Sequence, residues 1–193
     1  MINFNTILET DDLLLRPMIA DDYFPFATLT PDPSLWEFFT VDLSVRSELL
    51  AWVTSSIDET KNNTRLAFTI IDKTTRSIAG STSFGNISYR DKRVEIGWTW
   101  LGRTFQGRGI NDKVKHLMLG YVFGQLFFER VEMKTDVLNI PARKALQRIG
   151  ATQEGILRSH TLLANGRRRD TIYYSILREE WYNIVAKLKK ATD

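Results

Sequence analysis

The sequence predicts an α+β fold, and the order of its elements is the main observation behind that prediction. β-rich segments follow one another between residues 66 and 101, whereas helical patterns are gathered before and after them instead of alternating with strands. The chain of 193 residues is 43% hydrophobic and shows neither an internal repeat nor a linker that would divide it. One domain spanning residues 1–193 is therefore expected.

The first third of the chain predicts a short strand and two helices. Leu13–Pro17 has the pattern of a strand stopped by proline, and the Asp21-Asp22 pair offers an N-cap for a short helix through Phe26. After a loop with two prolines, a second helix is predicted from Ser44 to about Ile57, where apolar residues recur at helical spacing. Both helices precede the run of strands.

The middle of the chain predicts a meander of three strands. They cover Leu66–Ile71, Ile78–Ile87 and Val94–Leu101. Gly97 interrupts the third strand, and a glycine inside a strand marks a bulge or a close backbone approach. We therefore expect an irregular strand here.

The second half predicts helices separated by single strands, followed by a hairpin. The elements are a helix over Asn111–Phe128, a strand over Val131–Val137, a helix over Ala142–Ile149, a hairpin of Glu154–Leu163 and Thr171–Leu177, and a last helix from about Glu179 to Lys190.

Composition argues against several classes of protein. Lys and Arg exceed Asp and Glu by three, too few to argue for nucleic acid, and the basic clusters Arg167–Arg169 and Lys187 with Lys189-Lys190 have the pattern of solvated surface. The chain has no cysteine and only two histidines, His116 and His160, and this shortage of metal ligands argues against metal catalysis. Neither a signal peptide nor the roughly 20 apolar residues of a membrane helix is visible, so we expect a cytoplasmic protein with no membrane partner.

The most informative segment lies between the third strand of the meander and the long helix. It consists of Gln106, Gly107, Arg108, Gly109, Ile110 and Asn111. The glycines let backbone N–H groups turn inward without obstruction by Cβ, and the helix presents its positive dipole end and unpaired N–H groups to the same point. An anion is expected to bind there, although a tight turn between strand and helix is the simpler alternative. The segment lacks the lysine of a P-loop and the third glycine of the dinucleotide fingerprint.

This segment resembles the Gln/Arg-x-x-Gly-x-Gly/Ala signature with which GNAT acetyltransferases hold the pyrophosphate of acetyl-CoA. Gln106, Gly109 and Asn111 occupy the signature positions, and Asn111 departs from the usual Gly or Ala, so we expect its side chain to point away from the phosphate. Further segments are similar to the Rim-type branch (RimJ/RimL) of ribosomal-protein acetyltransferases. They are Leu14–Pro17 with Asp21-Asp22, Glu95–Trp98, Asn139 with Ala142–Gly150, and Gly166–Asp170 with Tyr174–Leu177.

The resemblance implies a GNAT-like fold, with a mixed central sheet splayed at the strand around Gly97 and flanked by helices. The pantetheine arm of acetyl-CoA would lie between two strands of this sheet. Backbone groups of Thr99, Trp100 and Leu101 would pair with the arm, and the loop from Gln106 to Asn111 would bind the pyrophosphate. Asn139 would contact the pantetheine region, cap the helix that follows it, or do both.

Acetyl transfer needs a deprotonated amine and a way to protonate the leaving thiolate. Glu95, on the strand that would face the thioester, is the first candidate for the general base. His160, an imidazole of the type that exchanges protons near neutral pH, is the second. Each has an alternative reading as an ordinary polar or ion-paired residue. Leu146 and Ala142 stand where relatives carry Tyr and Ser, so the sequence names no general acid.

The expected function is transfer of an acetyl group from acetyl-CoA to a primary amine, by a monomer or a homodimer. The acceptor is a protein N-terminus, with ribosomal proteins among the candidates, or a small-molecule amine. Trp98, Trp100, Tyr173 and Tyr174 belong either to an acceptor channel or to the core, and Arg167–Arg169 would form a basic wall of the acceptor site. The alternative is a CoA-binding or partner-binding module that has lost catalysis, which the missing Tyr and Ser permit.

Overall fold

The computed structural model describes residues 1–190, which form eight strands in one sheet and five α-helices. The strands are β1 (Leu8–Glu9), β2 (Leu13–Pro17), β3 (Leu66–Asp72), β4 (Ser77–Ser88), β5 (Arg93–Leu101), β6 (Arg130–Asp136), β7 (Thr152–Leu162) and β8 (Arg168–Leu177). The helices are α1 (Tyr23–Leu29), α2 (Arg46–Lys61), α3 (Ile110–Gly124), α4 (Ile140–Arg148) and α5 (Arg178–Lys190). The side chains of Lys187, Lys189 and Lys190, one of the two basic clusters, lie outside the described residues.

The sheet is mixed, which confirms the predicted α+β architecture. Its strand order is β1-β2-β3-β4-β5-β6-β8-β7, and each neighbouring pair is antiparallel except β5 with β6. The parallel pairing joins Arg93–Glu95 to Arg130–Glu132 and goes no further. Beyond Glu95 the two strands diverge, so the sheet is splayed close to Gly97.

A bulge distorts β5 directly after Gly97. Ser83 on β4 is opposite Gly97 and Ser81 is opposite Trp100, so two residues of β5 face the single residue Thr82. Trp98 has a φ of 51°, a left-handed conformation that a bulge imposes on one residue. A Cβ on Gly97 would lie 2.9 Å from a carboxylate oxygen of Glu95. The sequence therefore predicted the irregularity correctly, and the strained residue is the next one along.

Hydrophobic clusters cover both faces of the sheet. The larger one contains the apolar side of α3, including Val114, Met118 and Val122, packed on the sheet and on Trp181 of α5. The smaller one gathers residues of α1, α2 and the loop between them around Trp100. Helices on both faces thus hold β5 at the centre of the domain.

Element boundaries differ from the prediction at several places, including the end of α2 at Lys61 and the start of β8 at Arg168. β1 consists of two residues and carries no sequence pattern that would reveal it. A 3-10 turn over Ala20–Asp22 precedes α1, which begins at Tyr23. α3 ends at Gly124, before Phe127, which has a φ of 54°. Among residues 1–190, no helix has the length and apolar character needed to cross a membrane.

Candidate active site

A gap opens between β5 and β6 where their pairing ends. β6 continues to pair with β8 as far as Asp136, and β5 continues to pair with β4 as far as Leu101, but the two strands no longer pair with each other. Thr99, Trp100 and Leu101 lie on this diverging stretch of β5. The Leu101 carbonyl accepts a hydrogen bond from Gln106 Nε2 at 3.0 Å, so Gln106 ties the end of the strand to the loop that follows.

The loop between β5 and α3 lies at the open end of this gap. Gly107 and Gly109 have φ values of 72° and 75°, and a Cβ on either would meet no atom within 4 Å. The first helical hydrogen bond runs from Lys113 N to Gly109 O at 3.2 Å. Within residues 1–190, none of the backbone N–H groups of residues 107–112 donates a hydrogen bond. Six free amides at a helix N-terminus form a cradle suited to an anion.

Three side chains next to the cradle have their own partners elsewhere in the structure. Ile110 is buried in the core. The Arg108 guanidinium lies 3.7 Å from Asp72 Oδ2 and stacks over the Phe105 ring. Asp112, the one acidic residue of the first turn of α3, forms a two-pronged ion pair with Arg148 on α4 at 2.7 and 2.8 Å. This pair offsets a negative charge that would otherwise repel an anion.

Asn139 is the N-cap of α4, on the far side of the gap. Its Oδ1 accepts a hydrogen bond from Ala142 N at 3.1 Å, and Pro141 follows in the first turn. In the described part of the chain its Nδ2 donates no hydrogen bond. The capping role is therefore present, and the amide nitrogen is available to a ligand.

Glu95 is buried at the apex of the gap. Its Oε2 accepts hydrogen bonds from Asn86 Nδ2 at 2.7 Å and from Lys134 Nζ at 2.9 Å. The carboxylate lines a cavity of about 560 Å³ with mostly polar walls. The other lining residues are Asn63, Thr64, Asn86, Ile87, Tyr89, Arg93, Glu132, Lys134 and Tyr173. Glu95 therefore forms a cross-strand ion pair and at the same time faces a space that admits a second molecule.

His160 lies on the same face of the sheet, but on the exposed edge strand β7. Its Nδ1 is 3.1 Å from the hydroxyls of Thr161 and Thr171. Its ring packs edge-on against Tyr173 at 6.1 Å, and Tyr173 in turn lies below Lys134 Nζ at 5.8 Å. The fold thus connects His160 to Glu95 through Tyr173 and Lys134. The histidine itself is not among the residues that line the Glu95 cavity.

The four candidate aromatic residues divide between cavities and core. Tyr173 lines the cavity of Glu95, whereas Tyr174 is fully buried in the larger hydrophobic cluster. Trp98 and Trp100 line a second, smaller cavity of about 120 Å³. The Arg65 guanidinium stacks over Trp98 at 5.1 Å in this cavity. The Nε1 atom of Trp100 is buried with no hydrogen-bond partner in the described structure.

Lys115 on α3 is a further candidate site residue, which the sequence analysis missed. The residue is 4% exposed, and its Nζ donates a hydrogen bond to Thr99 Oγ1 at 2.7 Å. Burial lowers the pKa of Lys115 to about 7, while the negative charge of Glu95 acts in the opposite direction. A signal was present, because Lys115 precedes Met118 and Val122 by three and seven residues and so falls on the apolar face of the helix.

Comparison with known proteins identifies the family. Residues 12–152 match the family model described as an acetyltransferase (GNAT) domain. The chain belongs to the GNAT acetyltransferases. It is 29% identical over 178 residues to the uncharacterized N-acetyltransferase p20 of Bacillus licheniformis, which covers 90% of this chain and 97% of that protein.

Two further relatives show how far the likeness extends. Over 105 residues the chain is 34% identical to the “Putative ribosomal N-acetyltransferase YdaF” of Bacillus subtilis (strain 168), covering 54% of this chain and 56% of that protein. The crystal structure of a GCN5-related N-acetyltransferase from Brucella melitensis superposes with a TM-score of 0.82 at 27% identity, over 93% of this chain and 82% of that one. The GNAT chain is therefore an acyltransferase, and a relationship to the Rim-type branch is supported.

The two positions considered for a general acid, Leu146 and Ala142, carry apolar side chains. Leu146 is buried in the larger cluster, and Ala142 lies in the first turn of α4 beside the Asn139 cap. Neither side chain can donate a proton to a leaving thiolate.

The basic hairpin turn is only partly available to an acceptor. Arg167 forms an ion pair with the fully buried Asp136, and its guanidinium stacks over Phe38. Arg168 donates hydrogen bonds to Ser159. Burial lowers the pKa of Arg169, with the charges of Asp136 and Glu95 opposing this.

Proposed function

We propose that this GNAT enzyme transfers an acetyl group from acetyl-CoA, bound in the gap between β5 and β6, to a primary amine that enters through the Glu95 cavity. The observation that carries this proposal is the continuity of the site. The gap has the amide cradle at its open end and a carboxylate facing a polar cavity at its apex. One end suits the phosphates of a donor, and the other suits the amine of an acceptor.

The cradle supports binding of the pyrophosphate. The dipole of α3 contributes about 0.3–1 kcal/mol to an anion at its N-terminus, so the hydrogen bonds from the six free amides supply most of the affinity. The left-handed φ of Gly107 and Gly109 orients these amides. Asn139 Nδ2 and the diverging stretch of β5 then remain as partners for the pantetheine amides.

Glu95 is suited to accept the proton of the attacking amine. Its Oε2 is held by Asn86 and Lys134, and among residues 1–190 its Oε1 accepts no hydrogen bond. A positioned base accelerates such a reaction by about 10²–10⁴-fold, acting directly or through a water molecule. His160 is solvent-exposed and engaged by threonine hydroxyls, so we assign the base to Glu95.

The walls of the cavity favour an acceptor that carries polar groups close to its amine. Arg93 and Glu132 form an ion pair at 3.3 Å, and Tyr89 and Tyr173 supply aromatic walls. A peptide amino terminus presents an amine, a carbonyl and an N–H group within a few bonds. The name of the B. subtilis relative points in the same direction, so we propose a protein N-terminus, ribosomal proteins included, before a free small amine.

The test is thiol release from acetyl-CoA in the presence of an acceptor panel. The panel contains peptides that differ in their first residue, spermidine and glucosamine, with acetyl-blocked peptides as the matched control. Since the chain has no cysteine, a thiol reagent reports CoASH alone. We expect release with free peptide amino termini and none with blocked ones. Turnover with spermidine or glucosamine alone would show that the acceptor is a small amine and not a protein N-terminus. Absence of CoASH binding in calorimetry would refute acetyl-CoA as the donor.

A further inference from the structure

We propose that Lys115 is the proton donor to the sulfur of CoA when the acetyl group leaves. This inference rests on the proposed use of acetyl-CoA. It assigns to a buried residue of α3 the step for which Leu146 and Ala142 offer no group.

The position of Lys115 places a cation inside the gap. Lys115 is the fifth residue after Ile110, the first residue of α3, which places it about 7.5 Å along the helix from the amide cradle. Its side chain reaches Thr99, which lies on the diverging stretch of β5 between the cradle and Glu95. An acetyl-CoA molecule that extends from the cradle towards Glu95 therefore passes the Lys115 ammonium.

The ammonium group has unused hydrogen-bonding capacity. It carries three N–H donors, and in the described structure one of them binds Thr99 Oγ1 and no carboxylate forms an ion pair with it. Thr99 is itself fixed by Thr82 Oγ1 at 2.8 Å and by Gly97 O at 3.3 Å. Two donors thus remain for a ligand, on a side chain whose anchor is held by β4 and β5.

Its surroundings suit proton transfer. Burial brings the pKa of Lys115 to about 7, below the value of about 8.5 typical of a thiol, so transfer to a thiolate is downhill. The other charged groups near Glu95 are Lys134 on β6, which pairs with it, Arg169 on β8, and the Arg93–Glu132 ion pair that lines the same cavity. Tyr173 and His160 are the titratable groups next to them.

The proposed step balances without a further reactant. The amine nitrogen attacks the acetyl carbon to form the C–N bond, and its proton passes to Glu95 directly or through water. The C–S bond then breaks, its electron pair goes to sulfur, and a proton moves from Lys115 Nζ to give CoASH. Lys115 is left neutral and recovers its proton through solvent as Glu95 releases the one it accepted.

The first test measures the ionisation of bound CoASH. The ultraviolet absorbance of the thiolate is titrated in the complex and corrected for the free protein, which contributes no thiolate because it has no cysteine. An arginine at position 115 keeps its charge throughout the titration and stabilises a thiolate beside it, so we expect the thiol pKa to be at least one unit lower in the Lys115→Arg complex than in the Lys115→Met complex. The control is Lys113→Met, on the same helix with its side chain in solvent and paired with Asp12. Equal thiol pKa values in the Lys115→Arg and Lys115→Met complexes would show that the side chain at this position does not face the sulfur and would overturn the proposal.

The second test separates proton donation from electrostatics. With the best acceptor of the panel, we expect Lys115→Met to reduce kcat about 10²-fold or more and to leave the affinity for CoASH within a few-fold. Lys115→Arg keeps the charge but does not release a proton, so it should lower the thiol pKa and still be slow. Wild-type kcat in Lys115→Arg would refute proton donation, whereas failure of the wild-type protein to bind CoASH would refute the proposed function instead.

Discussion

Lys115 makes the stability of the fold depend on pH in a way that one substitution can isolate. The side chain is buried, and burial lowers its pKa from the ordinary 10.5 to about 7. Lys115→Met keeps the length of the side chain and removes its charge. We predict that this variant is more stable than the wild-type protein at neutral pH, although it is expected to be the slower enzyme.

The sign follows from proton binding in the two states. Between pH 7 and about 10.5 the unfolded chain holds a proton on Lys115 that the folded chain has released, so the stability of the wild-type protein rises with pH in this window. Below pH 7 the folded state must hold the buried charge, which costs about 5 kcal/mol relative to a neutral side chain. The advantage of Lys115→Met should therefore shrink by about 2.5 kcal/mol between about pH 7.5 and 9.5.

The assay is urea unfolding of both proteins at several pH values in the absence of ligand, because a bound ligand would add its own linkage. Groups that titrate in both proteins cancel in the difference. A difference in unfolding free energy that stays constant from about pH 7.5 to 9.5 would show that the folded Lys115 keeps its proton throughout, and the reasoning would fail.

Three further predictions concern other parts of the site. Gly109→Val should weaken CoASH binding at least tenfold by calorimetry, because a β-branched residue at φ 75° is strained by more than about 1–2 kcal/mol and the loop must move. Glu95→Gln should lower kcat about 10²–10⁴-fold while the KM for acetyl-CoA stays within a few-fold. Arg167→Ala should destabilise the fold by about 2 kcal/mol in urea, because it leaves the buried Asp136 without its partner.

Each of these has a control within the chain. Gly155→Val alters a half-buried strand glycine of β7 whose Cβ would meet no atom within 4 Å, so equal loss of CoASH affinity in both glycine variants would contradict the cradle. His160→Gln tests the rival base, and a larger loss of kcat than in Glu95→Gln would reverse the assignment. Arg168→Ala removes an exposed neighbour of Arg167. An equal loss of unfolding free energy in Arg167→Ala and Arg168→Ala would show that the ion pair with Asp136 does not cause the destabilisation.

The amide cradle could be predicted from the sequence because its physical requirements are local. A left-handed φ is available to glycine at little cost, and an N-terminal turn needs no distant partner. Gly107 and Gly109 therefore mark the loop in the sequence itself, and the structure gives both residues a positive φ. The bulge after Gly97 was predictable for the same reason. The two residues of β1 were not, since a pairing that short depends on its neighbour alone.

The partners of the catalytic candidates could not be predicted because they come from distant parts of the chain. Glu95 pairs with Lys134, which lies 39 residues further on, through the short parallel contact of β5 and β6. Sequence patterns indicate that both segments are strands but not where their pairing ends. That end decides the width of the gap, the burial of Glu95 and the cavity beside it.

Lys115 shows how a conflict between local pattern and residue type can indicate function. It occupies an apolar position of α3, where a hydrophobic side chain of the same size would stabilise the fold. Its partner in the described structure is a neutral hydroxyl, so the Coulombic attraction that usually offsets the burial of a charge is small here. Local rules are broken most often where a site needs the offending group. The stability that the buried ammonium sacrifices is therefore best explained by a ligand that brings negative charge into the gap, and a departing thiolate supplies that charge where the two unused donors lie.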